Sequence, residues 1–361
     1  MKRRLSVIHL LFVLILFPAC GKKGPLAPPL LRIPQSIENF SLSQRGEEFV
    51  LSWTNPSAYI DGSPMKEVSE IEIWLVEMDS KEAGQGNITR QEFEKKASLA
   101  VRLPEEKFPL FRDTAKESSR LFFIYRPEKG ISTQQTYIFG LRVRDERRRV
   151  SEFSDLLSLV AQALPLPPFN VRAAVFDNHI LLRWDAPLSS TDQSAPPQVV
   201  GYNVFRSSGK GPALAVNSSP IKEIEYKDAD FSFGQTYRYF VRAVASEGPP
   251  LQESDDSEVV EVRPLDTFPP ASPSGLTAIA GTNYIALSWE ANKEADVVGY
   301  RVWRQEAGAT ELILIASLGQ AVNSYTDAAV EKNKRYDYAI TALDNAGNES
   351  QKSASVPAVI R

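Results

Sequence analysis

Three stretches of this 361-residue chain repeat one pattern, and that repetition restricts its fold more than any other feature. "FVLSW" at 49–53, "ILLRW" at 180–184 and "IALSW" at 285–289 alternate apolar with other side chains and end on tryptophan. Alternation of period two is strand periodicity, so Phe49, Leu51 and Trp53 share one face. Ile180, Leu182 and Trp184 do the same, as do Ile285, Leu287 and Trp289. After each comes a loop and a second alternating strand: "IEIWLVE" from Ile71, "GYNVFR" from Gly201 and "GYRVWR" from Gly299. A third element recurs as "TYIFGLRV" from Thr136, "TYRYFVRAV" from Thr236 and "RYDYAITAL" from Arg335. Prolines 165, 167 and 168, and then 264, 269, 270 and 273, separate the copies. Proline donates nothing to a strand ladder and so suits boundaries and edges.

An early-strand tryptophan, Gly-Tyr opening the next strand and a late-strand tyrosine two positions before an apolar residue resemble the fibronectin type III domain. The resemblance implies an all-β chain of three tandem immunoglobulin-like sandwiches, at 34–164, 165–265 and 266–361. It places Trp53, Trp184 and Trp289 in the cores. It makes Tyr137, Tyr237 and Tyr336 tyrosine corners, whose hydroxyls bond back to nearby backbone. The first copy departs from the pattern, because about 58 residues separate Glu77 from Gln135. Within that insert Thr89-x-x-Glu92 is a capping-box pattern. It predicts a short helix near 90–98, with "LFFIY" at 121–125 rejoining the sheet.

Ahead of the sandwiches, Lys2, Arg3 and Arg4 precede a short apolar run from Leu5 to Phe17, which reads as an export signal over residues 1–19. The run is too short to span a bilayer, which takes roughly 20 apolar residues. "FPAC" ends it on the only cysteine of the chain and resembles the bacterial lipoprotein signal. That resemblance implies lipidation of Cys20, and Gly21 after it implies passage to the outer membrane; an orientation towards the periplasm is the expectation. Two or more acyl chains make a stable anchor where one is marginal. Residues 20–33 read as a proline-rich extended tether. "CGKKGPLAPP" is also similar to the start of a small lipoprotein family associated with the lipopolysaccharide translocon, which would make Lys23, Gly24, Pro25 and Leu26 a docking segment.

Chemistry is scarce beyond the leader. His179 is the one histidine left, in the turn-like "FDNHI", so Ser/His and Cys/His nucleophile arrangements and histidine-rich metal sites cannot be assembled. The chain reads as non-catalytic, with no cofactor and no metal. "DNAGNES" at 344–350 has calcium-loop composition but also turn-forming composition, and the turn is the expectation. Without Lys2, Arg3 and Arg4 the chain carries 38 Lys+Arg against 45 Asp+Glu, a charge of about −7 that argues against nucleic acid as a partner. Arg147, Arg148 and Arg149 at a hairpin tip are the densest basic cluster, a solvated turn or a contact for membrane phosphates. Strand parity places the second-to-third and last hairpin loops of domains two and three against the preceding domain. The functional expectation is a lipid-anchored rod that binds an envelope protein or polysaccharide, or serves as a spacer.

Overall fold

Alternation predicts strands, and pairing registers decide what they build. The structure, a computed structural model, describes residues 32–83, 88–112, 120–209 and 211–361. The first unit contains β1 (Glu38–Arg45), β2 (Glu48–Thr54), β3 (Val68–Asp79), β4 (Ser98–Pro104), β5 (Arg120–Tyr125), β6 (Gln135–Asp145) and β7 (Leu157–Val160). In it, β1-β2-β5 faces β4-β3-β6-β7.

The second unit contains β8 (Phe169–Val175), β9 (Ile180–Asp185), β10 (Gly201–Ser208), β11 (Leu214–Ala215), β12 (Glu225–Asp228), β13 (Tyr237–Val244), β14 (Gln252–Glu253) and β15 (Val260–Val262). Here β8-β9-β12 faces β11-β10-β13, with β15 also on β13. The third contains β16 (Thr277–Ala280), β17 (Ile285–Ser288), β18 (Val297–Glu306), β19 (Ile313–Gly319), β20 (Ser324–Asp327), β21 (Arg335–Asp344) and β22 (Val356–Val359), with β16-β17-β20 facing β19-β18-β21-β22. All three units are two-sheet β-sandwiches with the strand order that the resemblance to fibronectin type III domains implies. The alternating side chains meet between the sheets, where Trp53, Trp184 and Trp289 are buried among residues of both layers.

The insert of domain one is more structured than the sequence reading expects. A helical turn α1 (Ser80–Ala83) precedes α2 (Arg90–Lys96). Thr89 caps α2: its hydroxyl accepts from Glu92 N at 3.2 Å, and the Glu92 carboxylate accepts from Thr89 N at 2.9 Å. The helix stops at Lys96 rather than 98, because "SLAVRLP" then pairs with β3 as β4, which the sequence reading missed. A 3-10 turn, Glu105–Phe111, follows. Buried Phe93 of α2 packs with Val76, Ile138 and Phe153, so the outer face of β3 and β6 is covered as well as the inner. The segment at 121–125 does rejoin the sheet, as β5 against β2.

Candidate functional site

The most regular polar feature of the molecule is a set of latches on the strand that carries each tyrosine. Tyr137, Tyr237 and Tyr336 are buried, and their hydroxyls accept from Ser132 N at 3.0 Å, Ser232 N at 2.9 Å and Glu331 N at 3.1 Å. Five residues back in each case, this is a corner that pins the loop entering the strand.

A second latch escaped the sequence reading. "SEFS", "SDDS" and "SQKS" place serines three apart, and both hydroxyls of each pair accept from β6, β13 or β21 amides. In domain two, Val241 N and Ala243 N reach Ser257 and Ser254 at 2.9 Å. The serine amides donate back to the carbonyls of the same two residues. The signal was the repeated S-x-x-S itself, in a stretch read only for its acids.

Between the sheets, domains two and three share a buried ionic corner. Asp228 accepts from Arg206 Nη1 at 2.8 Å and from the Tyr239 hydroxyl at 2.7 Å. Asp327 accepts from Arg304 Nη1 and the Tyr338 hydroxyl, both at 2.8 Å. Burial and the neighbouring carboxylate push both tyrosine hydroxyls well above their ordinary range.

Registers identify the equivalent residues of domain one. Ile180 pairs Asp228 and Ile285 pairs Asp327, where Phe49 pairs Tyr125. Arg206 pairs Tyr239 and Arg304 pairs Tyr338, where Leu75 pairs Phe139. The triad is thus replaced by Leu75, Tyr125 and Phe139, with the Tyr125 and Phe139 rings 5.7 Å apart. A cleft of about 810 Å³ opens at this place, walled by residues 98–101 of β4 and by 123–130 from β5 onward.

On the outer face of the β3/β6 sheet, Arg142 lies over the Trp74 ring at 4.6 Å and the Phe153 ring at 4.8 Å. Glu72, buried beneath, accepts from Arg142 Nε and Arg144 Nε at 2.7 Å and Trp74 Nε1 at 3.0 Å. Burial alone would raise its carboxyl, but these donors hold it below the ordinary range.

The arginines at the hairpin tip are not alike. Arg149 is half-buried: it stacks 4.7 Å from the Tyr59 ring and donates to Asp145 at 2.7 Å. Arg147 and Arg148 remain exposed. His179, in its turn, stacks on Phe176 at 4.7 Å and is bonded to the exposed Asn178.

The last hairpin loop of domain two supplies β14, which adds to β1 of domain one in parallel, Gln44 opposite Gln252. The two glutamines are buried and joined at 3.1 Å from Gln252 Nε2 to Gln44 Oε1. Gln44 also bonds Gln162 in both directions, at 2.8 and 3.1 Å. Gly46, at φ +52°, closes the β1–β2 turn, and a side chain there would run into Asp255. At the next junction, carboxylate oxygens of Asp266, Asp296 and Asp344 lie within 4.8 Å of one another. Asp344 accepts from Asn348 N and Nδ2 at 2.8 Å, closing the "DNAGNES" segment as a turn.

No family model matches the chain. Over 242 residues, 63% of the chain, it is 28% identical to exoglucanase B of Cellulomonas fimi, covering 20% of that protein. Over 83 residues it is 37% identical to the amylopullulanase of Thermoanaerobacter thermohydrosulfuricus, which is 23% of this chain and 5% of that one. The amylopullulanase of Thermoanaerobacterium saccharolyticum matches at 34% over 90 residues, 24% of this chain and 7% of the other. The chain therefore spans at most about a fifth of these relatives.

Solved structures similar to it include a two-domain fibronectin type III segment of chicken tenascin and the FN1–FN3 domains of chicken CNTN1. The first has TM-score 0.36 and 15% identity over 54% of this chain and 99% of the other. The second has TM-score 0.27 and 15% identity over 91% and 99%.

Cys20, Lys23, Gly24, Pro25 and Leu26 lie outside the described residues. Among the described residues no helix is long and apolar enough to cross a membrane.

Proposed function

We propose that the protein is a non-catalytic, lipid-anchored lipoprotein of the bacterial outer membrane whose tandem sandwiches present a binding or spacing surface to an envelope protein or polysaccharide. The observation that carries this is the serial repetition of one sandwich, with domain two joined to domain one by shared strand pairing and buried glutamines. Fold does not fix the partner. The names of the curated relatives, an exoglucanase and two amylopullulanases, favour polysaccharide as the ligand class. Cys20 supplies the anchor, and the exposed Arg147 and Arg148 stand free for lipid phosphates.

The test is to fractionate envelopes of cells expressing wild type and Cys20→Ala and to identify what crosslinks to each. Outer-membrane recovery of wild type with a defined partner, both lost in the variant, supports the reading. Cytoplasmic recovery of wild type overturns it.

A second reading rests on "CGKKGPLAPP": an accessory of an outer-membrane assembly such as the lipopolysaccharide translocon, docked through Lys23, Gly24, Pro25 and Leu26. Replacing Lys23, Gly24 and Pro25 by alanine then removes co-purifying translocon subunits and leaves membrane attachment intact. Unchanged partners exclude it.

A further inference from the structure

β4, β11 and β19 are the end strands of equivalent sheets, paired only with β3, β10 and β18. An unpaired strand edge is a template for another strand, and proteins blunt it with short length, charge or proline. β4 carries Arg102 and ends on Pro104, and β11 is two residues long. β19, Ile313–Gly319, has seven residues with no charge and no proline, and Ile313 and Leu314 are 55% and 46% exposed. Residues 211–361 are all described, and up to Leu318 the backbone of β19 bonds only to β18.

β19 keeps one guard. Ala316 pairs Val302 and Leu314 pairs Trp303, so Ile315 forms a bulge, and it packs against the core. Beyond it the ladder is regular: Ala316, Ser317, Leu318 and Gly319 pair Val302, Arg301, Tyr300 and Gly299 in turn. Ser317 is exposed. The charges behind the edge are already matched, Arg301 by Glu349 and Arg304 by Asp327. A charged foreign strand would find no counter-charge at this edge, whereas an uncharged copy of β19 needs none. Opposed residues of an antiparallel pair lie on one face, so a two-fold axis between two copies of one strand falls on a residue. With Ser317 as that residue, Ala316 meets Leu318 of the second copy, and Glu311, the nearest charge in sequence, comes opposite Asn323.

We propose that β19 is a self-association edge: two copies of the chain pair their β19 strands antiparallel about Ser317 and join their four-stranded sheets into one continuous sheet. Backbone pairing supplies the affinity, and burial of Ile313 and Leu314 adds to it. The paired strand is about 24 Å long, at the small end of specific interfaces, so the dimer is weak and depends on concentration.

Full-length protein carrying Cys20→Ala, which removes the only thiol and with it any disulfide dimer, is followed by sedimentation velocity in mild detergent from about 3 µM to about 300 µM. A reversible monomer–dimer equilibrium is expected. Ser317→Lys and Ser317→Asp, at an exposed site, should each keep the parent's urea midpoint and weaken the dimer about fivefold or more, because like charges then lie opposite. An equimolar mixture of the two should recover it, since the facing charges are then opposite in sign. Ile279→Lys, 68% exposed on β16 of the other sheet, should leave the equilibrium unchanged. A monomer throughout that range, no recovery on mixing, or an equal loss with Ile279→Lys would each overturn the proposal. The test needs no lipid and no ligand, so its failure and that of the envelope reading are separate.

Discussion

Domain one and its two successors build the same sandwich but solve one corner differently. In domains two and three an arginine, an aspartate and a tyrosine meet inside, as Arg206, Asp228 and Tyr239 and as Arg304, Asp327 and Tyr338. In domain one the same register positions hold Leu75, Tyr125 and Phe139, and a cleft lies beside them. A buried ion pair adds little net stability over a well-packed apolar group, because desolvation offsets attraction. It does demand that every partner be present. The closed corners of domains two and three therefore tolerate little change, whereas the corner of domain one is apolar, and its long insert lies between the two strands, β3 and β6, that supply Leu75 and Phe139.

The largest effect should come from breaking the ionic corner. Asp228→Ala strands the Tyr239 hydroxyl and leaves Arg206 with the exposed Asp230 as its one remaining carboxylate, and should destabilise domain two by about 3 kcal/mol. Asp327→Ala should do the same in domain three, while Tyr125→Phe in domain one should change stability by less than about 0.5 kcal/mol. Urea unfolding followed by tryptophan fluorescence reads all three. Similar losses at Tyr125 and Asp228 would mean that the corners are not different in kind.

The tyrosine corners sharpen the contrast, because they are common to all three domains. Tyr137→Phe, Tyr237→Phe and Tyr336→Phe each remove the acceptor for one loop amide. Each should cost about 1–2 kcal/mol, nearly equal among the domains. A spread much wider than that would show that the shared frame is not energetically shared.

Much of this frame was legible in the sequence because its signals are local. Alternation ending at Trp53, Trp184 and Trp289 marks one strand at a time, and each tyrosine latch closes over five residues. The ionic corner joins three strands far apart in the chain, so no single stretch displays it. It was visible only by laying copies two and three side by side, where Arg, Asp and Tyr recur and copy one lacks them. The β14–β1 pairing left less still: two residues form the strand, and what holds it is a pair of glutamines 208 positions apart. β4 is hidden in the sequence because the capping box of α2 marks a helix, and the alternation of "SLAVRLP" begins just after it. The expected helix end at 98 was wrong for the same reason. Parity did foresee that the last hairpin loop of domain two would meet domain one, since it depends only on strand count.

Acid should act on domain one through Glu72, whose carboxyl is held below its ordinary value of 4.5 in the fold. A depressed carboxyl contributes stability that is fully present above the unfolded value and is lost as pH falls through the folded one. Domain one should thus lose stability as pH drops below about 4.5. Glu72→Gln should flatten that acid limb by an amount on the order of 1 kcal/mol while leaving domains two and three unaffected. Unfolding midpoints across pH 3–6 decide it; an unchanged slope would show that Arg142 and Arg144 gain nothing from the charge.

The smallest effect sets Asp145 against Asp344. Both end the strand that carries the tyrosine corner, and both are buried. Asp145 accepts from Arg149 Nε at 2.7 Å and from the Tyr59 hydroxyl at 3.1 Å, so its charge is balanced. Asp344 accepts from Asn348 and faces Asp266 and Asp296 within 4.8 Å. Replacing a neighbour should therefore have opposite signs in the two domains. Asp296→Asn should stabilise domain three by about 0.5 kcal/mol at low salt, since it relieves repulsion of the half-buried Asp296 with half-buried Asp266 and buried Asp344. The gain should fade near 1 M salt, where the screening length falls to about 3 Å. Arg149→Gln should instead destabilise domain one, because Asp145 is then left without its cation, and added salt should restore little in so sheltered a place. A loss of stability in Asp296→Asn at low salt would mean that the three carboxylates do not repel one another, and the contrast with Asp145 would fail at that point.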